Sequence, residues 1–428
     1  MTGYEPLQID LVDSGLTAAQ IDRVTVGGIV AYHPTALGDE LLEVTVQGAP
    51  VSGPAAIVLE WEGGAVELAQ AYEYEPLVDD ALSHVMAFGA SLTQGVSDAT
   101  PTFESVQYSP ALQAARSLGA FMPQPVLVPD LFANMEASTV GPPPECRAAG
   151  AGDFIRDGIT DVLVDLAWPE GGGFGYELGR VDPTAPVRNI AAGNFKLNNV
   201  INGASISDFV ETFLGHLSFD PFGEFGSELD VTQLELIEEA QPTLVFTFDS
   251  YGNDGLGPAA GFGNQTELEE IRGLLAEMVD RLAVAADHSF IANLPSPSLL
   301  PNRRNDDNTV LDATVVTYNE ALAAEAARHQ NVYVIPFYER VEEIRETGLL
   351  AGDEQLTVRI FGGLLSFDGL HFSPTGYALA ADLLVESINA ELGLELPRID
   401  IAAVAAIDHH VPSALRAAGV DVDACWVD

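Results

Sequence analysis

Short apolar runs and amphipathic stretches alternate along most of the chain, and the alternation changes character near residue 80. Before it, Val24-Thr25-Val26, Leu42-Glu43-Val44-Thr45-Val46 and Ala56-Ile57-Val58-Leu59-Glu60-Trp61 are β-type runs, punctuated by Gly48-Ala49-Pro50 and Gly53-Pro54. That pattern predicts a small β-rich module over 1–80, with a short helix at 17–23. From residue 81 the rhythm is longer. His84 to Phe88, Thr243 to Phe248, Phe290 to Leu294 and Val332 to Ile335 read as buried strands. Thr266-Glu267-Leu268-Glu269 has the form of a capping box, and Leu268, Ile271, Leu275, Met278 and Leu282 then share one helical face. Further helices are expected at 318–328 and 375–392. Apolar strands alternating with amphipathic helices predict an α/β fold over 81–395, a parallel sheet covered on both faces. Sheets of this kind carry their sites at the carboxyl ends of strands.

Residues 96–198 interrupt the rhythm, with Pro142-Pro143-Pro144 and Gly171-Gly172-Gly173 among few periodic elements. An irregular stretch of this length is either a lid or binding loop, or an ordered decoration. Residues 396–428 read as a C-terminal tail, whose apolar run from Ile401 to Ile407 is expected to dock on the body.

Composition narrows the classes. Of 428 residues 47% are hydrophobic, ample for a packed core. Lys plus Arg number 17 against 64 Asp plus Glu, a formal net charge of −47. A field this negative repels phosphate backbones and anionic membrane surfaces, so neither is an expected partner. Lys196 is the only lysine. An excess of carboxylates with almost no lysine fits adaptation to high salt, or a GC-rich genome beneath a merely acidic surface. Cys146 and Cys425 are too few for a disulfide framework, and either pair with each other or stay free. No run is long and apolar enough for a transmembrane segment. The start of the chain lacks a leader pattern, which fits a secreted or cell-envelope protein with its signal segment removed, or a cytoplasmic one. Asn305-Asp306-Asp307-Asn308 lacks the calcium-loop pattern, and His409-His410 lacks a third ligand at a recognisable spacing.

Candidate chemistry gathers where strands end. Phe88-Gly89-Ala90-Ser91-Leu92-Thr93 follows the first α/β strand, and Asp249-Ser250-Tyr251-Gly252-Asn253-Asp254 follows the second. Phe367-Asp368-Gly369-Leu370-His371-Phe372-Ser373-Pro374 precedes the last long helix. Together they hold a serine, an amide, and a carboxylate three residues before an imidazole, the parts needed for acyl transfer. A fourth segment, Asn199 to Ser205, offers Gly203, where the missing Cβ would let a backbone N–H approach a substrate. Gly193 in Ala192-Gly193-Asn194 is its rival. Asp249 and Asp254 read as loop-stabilising carboxylates.

These blocks resemble the GDSL, or SGNH, family of serine hydrolases. They match as Ser91 in Gly-Ala-Ser-Leu-Thr, Gly203 in Asn-Gly-Ala, Asn253 in Gly-x-Asn-Asp and His371 in Asp-x-x-His. The resemblance implies a three-layer α/β/α fold, Ser91 as nucleophile, His371 as general base then acid, and Asp368 as its orienter. It also implies an oxyanion hole from Ser91, Gly203 and Asn253, with no metal and no cofactor. One departure stands out: the family's Gly-Asp-Ser is Gly-Ala-Ser here, with Ala90 in place of a loop-organising acid. The expected activity is hydrolysis of a small-molecule, lipid or carbohydrate ester. Phe121-Met122 and Leu131-Phe132 hint at an apolar lid, while Trp168, Phe174 and Tyr176 are candidate sugar platforms. The alternatives are a carbohydrate acetyl esterase of the same mechanism, and a non-catalytic binding protein on a degenerate hydrolase fold. The sequence does not fix an oligomeric state.

Overall fold

In the N-terminal runs 41–45 and 53–61 alternate side chains are buried, at Leu42 and Val44 and at Ala55, Ile57 and Leu59, as a sheet with one solvated face requires. A computed structural model describes residues 6–12, 14–47, 49, 52–75, 82–97, 107–122, 188–191, 195–203, 232–260, 265–300, 308–359, 361–367, 369–419 and 422. Contacts divide the chain into two units, 1–85 with 115–123, and 86–114 with 124–428. The first unit contains β1 (Pro6–Asp10), β2 (Arg23–Val26), β3 (Ile29–Val30), β4 (Tyr32–Ala36), β5 (Leu41–Thr45), β6 (Gly53–Trp61) and β7 (Gly64–Tyr74). They form two antiparallel sheets, ordered β1-β5-β4 and β3-β2-β6-β7. Leu42 and Val44 from one sheet and Val24, Val26, Ile57 and Leu59 from the other share one core, so the two sheets stack face to face. The helix expected at 17–23 is a single 3-10 turn, Ala18–Gln20. The Gln20 side chain accepts the Thr17 N–H and closes that turn, after which Ile21 is already extended and leads into β2.

The second unit contains β8 (Val85–Ala87) from Met86 on, α1 (Ser91–Gln94), α2 (Pro110–Leu118) as far as Ala114, α3 (Leu197–Asn202), α4 (Gln233–Ala240) and β9 (Leu244–Thr247). After these come α5 (Gly252–Gly255), α6 (Gly257–Ala260), α7 (Leu268–Ala285), β10 (His288–Ala292), α8 (Thr309–Ala326), β11 (Val332–Ile335) and α9 (Phe337–Thr347). A hairpin of β12 (Leu349–Ala351) and β13 (Glu354–Leu356) precedes α10 (Pro374–Leu392), α11 (Ile401–Ala405) and α12 (Pro412–Ala417). The central sheet runs β11-β10-β9-β8, with β9, β10 and β11 parallel. Beyond β8, an extended segment at 188–190 pairs in parallel through Ala87 N–H to Arg188 O at 2.9 Å and Ile190 N–H to Ala87 O at 2.8 Å. In space the order is therefore 188–190, β8, β9, β10, β11. The chain leaves β8 toward one edge and returns to β9 on the other side. The gap between β8 and β9 is the topological switch point, where open α/β sheets place their sites.

Both faces of the sheet are covered, giving the three-layer α/β/α architecture. Val245, Ile291 and Val332 pack into one core with residues of α3, α4, α7 and α8. On the opposite face an aromatic chain runs from Phe246 through Phe248, Phe337 and Phe372 to Tyr377, with ring centroids 5.6–6.1 Å apart. The expected face of α7 is largely buried, but its capping box does not form, because the Thr266 hydroxyl donates to Asp254 instead. Helix α8 begins nine residues before the expected 318. Within 96–198, α2 and the paired segment at 188–190 are elements that the pattern did not show. The tail joins this unit where Arg398 Nε meets Asp382 Oδ1 at 2.6 Å and α11 packs on α10, although Ile407 of its apolar run stays exposed.

Candidate active site

Two residues break an otherwise sealed surface at the switch point. From 85 to 97 every residue is buried except Ser91, which is half-buried, and from 244 to 257 every residue is buried except Asn253. Ser91 opens α1 just beyond β8, and Asn253 lies in α5 just beyond β9.

The turn before Ser91 is gripped from two sides. Gln233 accepts the Gly89 N–H through Oε1 at 2.8 Å and donates through Nε2 to Gly89 O at 3.0 Å. Asp249 accepts the N–H groups of Ala90 (2.9 Å), Leu92 (2.6 Å) and Thr93 (3.2 Å), and the Thr93 hydroxyl at 2.7 Å. Burial pushes the Asp249 carboxyl up, and the donors from Thr93, Ala90 and Leu92 oppose that shift. Gly89 is at φ +128°, and a Cβ there would lie 2.5 Å from Thr247 Oγ1 and 2.8 Å from Asp249 Oδ1. Only glycine leaves room for that carboxylate.

Asn253 and Asp254 tie the second turn to the segment that follows 188–191. Asn253 Nδ2 donates to Phe195 O at 3.0 Å, and Asp254 Oδ2 accepts the Leu197 N–H at 2.8 Å where α3 begins. Burial raises the Asp254 carboxyl, countered by the Thr266 and Leu197 hydrogen bonds. Gly203 terminates α3 at φ +83°. Its N–H donates to Asn199 O at 2.9 Å, closing the helix, so that N–H is not available to an oxyanion. Gly203 was the expected third oxyanion donor, and here its N–H serves the helix end. Gly193 follows the paired segment by two residues in sequence and lies outside the described residues.

His371 is buried in a loop whose ends are pinned, with Ser366 N–H donating to His371 O at 2.9 Å and Leu365 bridging to Phe372. The loop is fastened to the Ser91 turn through the helix that follows it. The Tyr377 hydroxyl donates to Val96 O, and Gln113 Nε2 donates to Pro374 O at 3.0 Å. The aromatic chain carries Phe372 back to Phe248, next to Asp249. The serine, amide and imidazole blocks thus reach one end of the sheet. Asp368 lies outside the described residues, as do Cys146, Cys425, Leu131-Phe132, Trp168, Phe174, Tyr176 and 301–307. Phe121 and Met122 are buried.

Among the described residues one group gathers metal-ligand atoms, Asp408, His409 and His410, all within 4.8 Å. Both Asp408 oxygens already accept hydrogen bonds from Thr375 and His410, which makes the carboxylate a structural acceptor. No helix among the described residues is long and apolar enough to cross a membrane.

Sequence reading undervalued Gln233, Thr93 and Asp249. The signal for Asp249 is a carboxylate at the end of a fully buried strand, facing a serine turn that has no acid of its own.

Comparison with known proteins bears on the family of the chain. The sequence profile described as GDSL-like Lipase/Acylhydrolase matches residues 85–384. Among solved structures the chain is similar to a carbohydrate esterase family 2 enzyme with a carbohydrate binding domain from Corynascus thermopiles (Myceliophthora fergusii), at 12% identity over 92% of both chains and a TM-score of 0.41. It is also similar to a lipase/acylhydrolase from Enterococcus faecalis, at 21% identity over 50% of this chain and 80% of that one, with a TM-score of 0.27. No curated protein matches.

Proposed function

Because the chain belongs to the GDSL-like lipase/acylhydrolase family and is therefore an ester hydrolase, we propose that it cleaves acyl esters through a covalent intermediate on Ser91. The observation that carries this reading is the pair of accessible residues, Ser91 and Asn253, at the switch point between two buried strand ends. A nucleophile must reach substrate, while its supports need not.

In this reading His371 takes the Ser91 proton as the hydroxyl attacks the ester carbonyl, and Asp368 holds the imidazole in the productive tautomer. The tetrahedral oxyanion is met by the Ser91 N–H and the Asn253 amide. With the Gly203 N–H already engaged, Gly193 is the remaining candidate for a third donor. His371 then protonates the departing alcohol and activates water to release the acid, without metal or cofactor. The substrate is a small-molecule, lipid or carbohydrate ester.

Ser91→Ala is expected to abolish turnover of a chromogenic short-chain ester, read as initial rate beside the unmodified protein. Retained turnover would reject Ser91 as nucleophile. Asn253→Ala should slow the same reaction on the order of 10²–10³-fold, as loss of one oxyanion donor does.

A further inference from the structure

We propose that Asp249 is the positioning residue for Ser91, capping from the neighbouring strand end the helix that Ser91 opens. This rests on the reading of Ser91 as nucleophile. The first turn of a helix exposes N–H groups that an N-cap side chain normally satisfies. In α1 the N-cap position is Ala90, which has no acceptor to offer. Asp249 supplies it from across the switch point. Oδ2 takes the Leu92 N–H at 2.6 Å, while Oδ1 takes those of Ala90 at 2.9 Å and Thr93 at 3.2 Å.

The selectivity of this grip matters more than its strength. Of the four N–H groups from 90 to 93, Asp249 takes three and passes over that of Ser91. The same carboxylate therefore fixes the turn and leaves the nucleophile's own N–H to the oxyanion. Four donors converge on its two oxygens, an arrangement suited to an acceptor-only carboxylate and not to an amide or a protonated acid. Thr93 links the parts: its hydroxyl donates to Asp249 Oδ1 at 2.7 Å and accepts the Phe248 N–H at 2.9 Å. Gly89 leaves the space that the carboxylate occupies. Position 90, where the resemblance expects an acid, is thus relieved of its task by a residue 159 positions later.

Asp249→Asn is the direct test, since it keeps the shape but turns an acceptor toward a donor's role. Labelling of Ser91 by a fluorophosphonate is expected to slow on the order of 10²-fold, the scale of a misplacement of about 1 Å. Turnover should fall in kcat with KM little changed, because the turn bears on the attacking atom and not on substrate affinity. Hydrogen exchange in a peptide spanning 88–95 should rise while that of β9 stays protected. Labelling and kcat at the level of the unmodified protein, or unchanged exchange at 88–95, would overturn the role of Asp249. If Asp249→Asn does not fold, Thr93→Val decides, with an expected loss in labelling of roughly tenfold at constant KM; no loss overturns the proposal. An unmodified protein that fails to label rejects the Ser91 reading instead, and exchange at 88–95 still judges whether Asp249 holds the turn.

Discussion

Asp408 approaches the His371 loop from the C-terminal tail and is buried there with its partners. Its Oδ2 accepts the Thr375 N–H at 2.9 Å and the Thr375 hydroxyl at 2.6 Å, and its Oδ1 accepts the His410 N–H and Nδ1 at 2.9 and 2.8 Å. The His410 ring lies 4.3 Å from that of Phe367, the residue before Asp368. Burial by itself would raise the Asp408 carboxyl, but the His410 hydrogen bonds and charge, with Thr375, hold it at about 2. An unfolded aspartate titrates near 3.9. The folded value is the lower one, so the anion stabilises the fold fully above about pH 4, and that contribution is lost as pH falls through about 2. Asp408→Asn is expected to cost about 2 kcal/mol at pH 7 in urea unfolding, with the gap to the unmodified protein closing toward pH 2. An equal gap at both pH values would show that packing, not charge, accounts for the loss. At this scale the sequence offered candidate reacting groups but not the residues that hold their turns. Ser91, Asn253 and His371 stand in short motifs, whereas Asp408 and Thr375 are 33 residues apart and meet only through the fold.

Elements were legible where one physical signal dominated. Val332–Ile335 is a strand over the very residues whose apolar run announced it, and α7 buries Ile271, Leu275, Met278 and Leu282 as their spacing required. Signals that two structures could share were misread. Thr266 has the form of a cap, yet its hydroxyl serves Asp254, and Thr17-x-x-Gln20 closes one turn instead of opening a helix. The 188–190 segment was invisible because Arg188-Asn189-Ile190 has no apolar run, and its strand character comes from Ala87. With it went the choice between Gly203 and Gly193. Helix α10 offers a test at this scale, because its Tyr377 hydroxyl bonds Val96 O, two residues beyond α1. Tyr377→Phe leaves that buried carbonyl without its donor, a loss of about 1–3 kcal/mol. Unfolding should report that loss, and turnover should fall on the order of tenfold because the His371 loop is freed from the Ser91 turn. Lower stability with unaltered kcat would make the tether structural only.

For the whole molecule the deciding quantity is charge. Six of the described arginines, Arg272, Arg281, Arg328, Arg340, Arg345 and Arg398, each sit against a carboxylate, with Glu269, Glu238, Glu325, Glu343, Glu342 and Asp382 as partners. Cations this scarce are neutralised by near neighbours, so most of the 64 acids repel one another without a counter-charge from the chain. Exposed ion pairs add little, about 0–1 kcal/mol each, and cannot offset a net charge of −47. Solvent ions must do so. The screening length falls from about 8 Å at 0.15 M salt to about 3 Å at 1 M, which removes repulsion between all but adjacent carboxylates. Folding brings these charges closer than the extended chain holds them, so screening favours the folded state. The urea midpoint is therefore expected to rise steadily with potassium chloride between 0.1 and 2 M. Chloride is the informative salt, because sulfate would also strengthen apolar burial through exclusion from the surface. A rise with chloride assigns the acidity to life in salt, with the ester-cleaving site enclosed by a surface that depends on its counter-ions. A flat midpoint would make the same acidity a habit of composition, since self-repulsion that does not respond to screening is not limiting the fold.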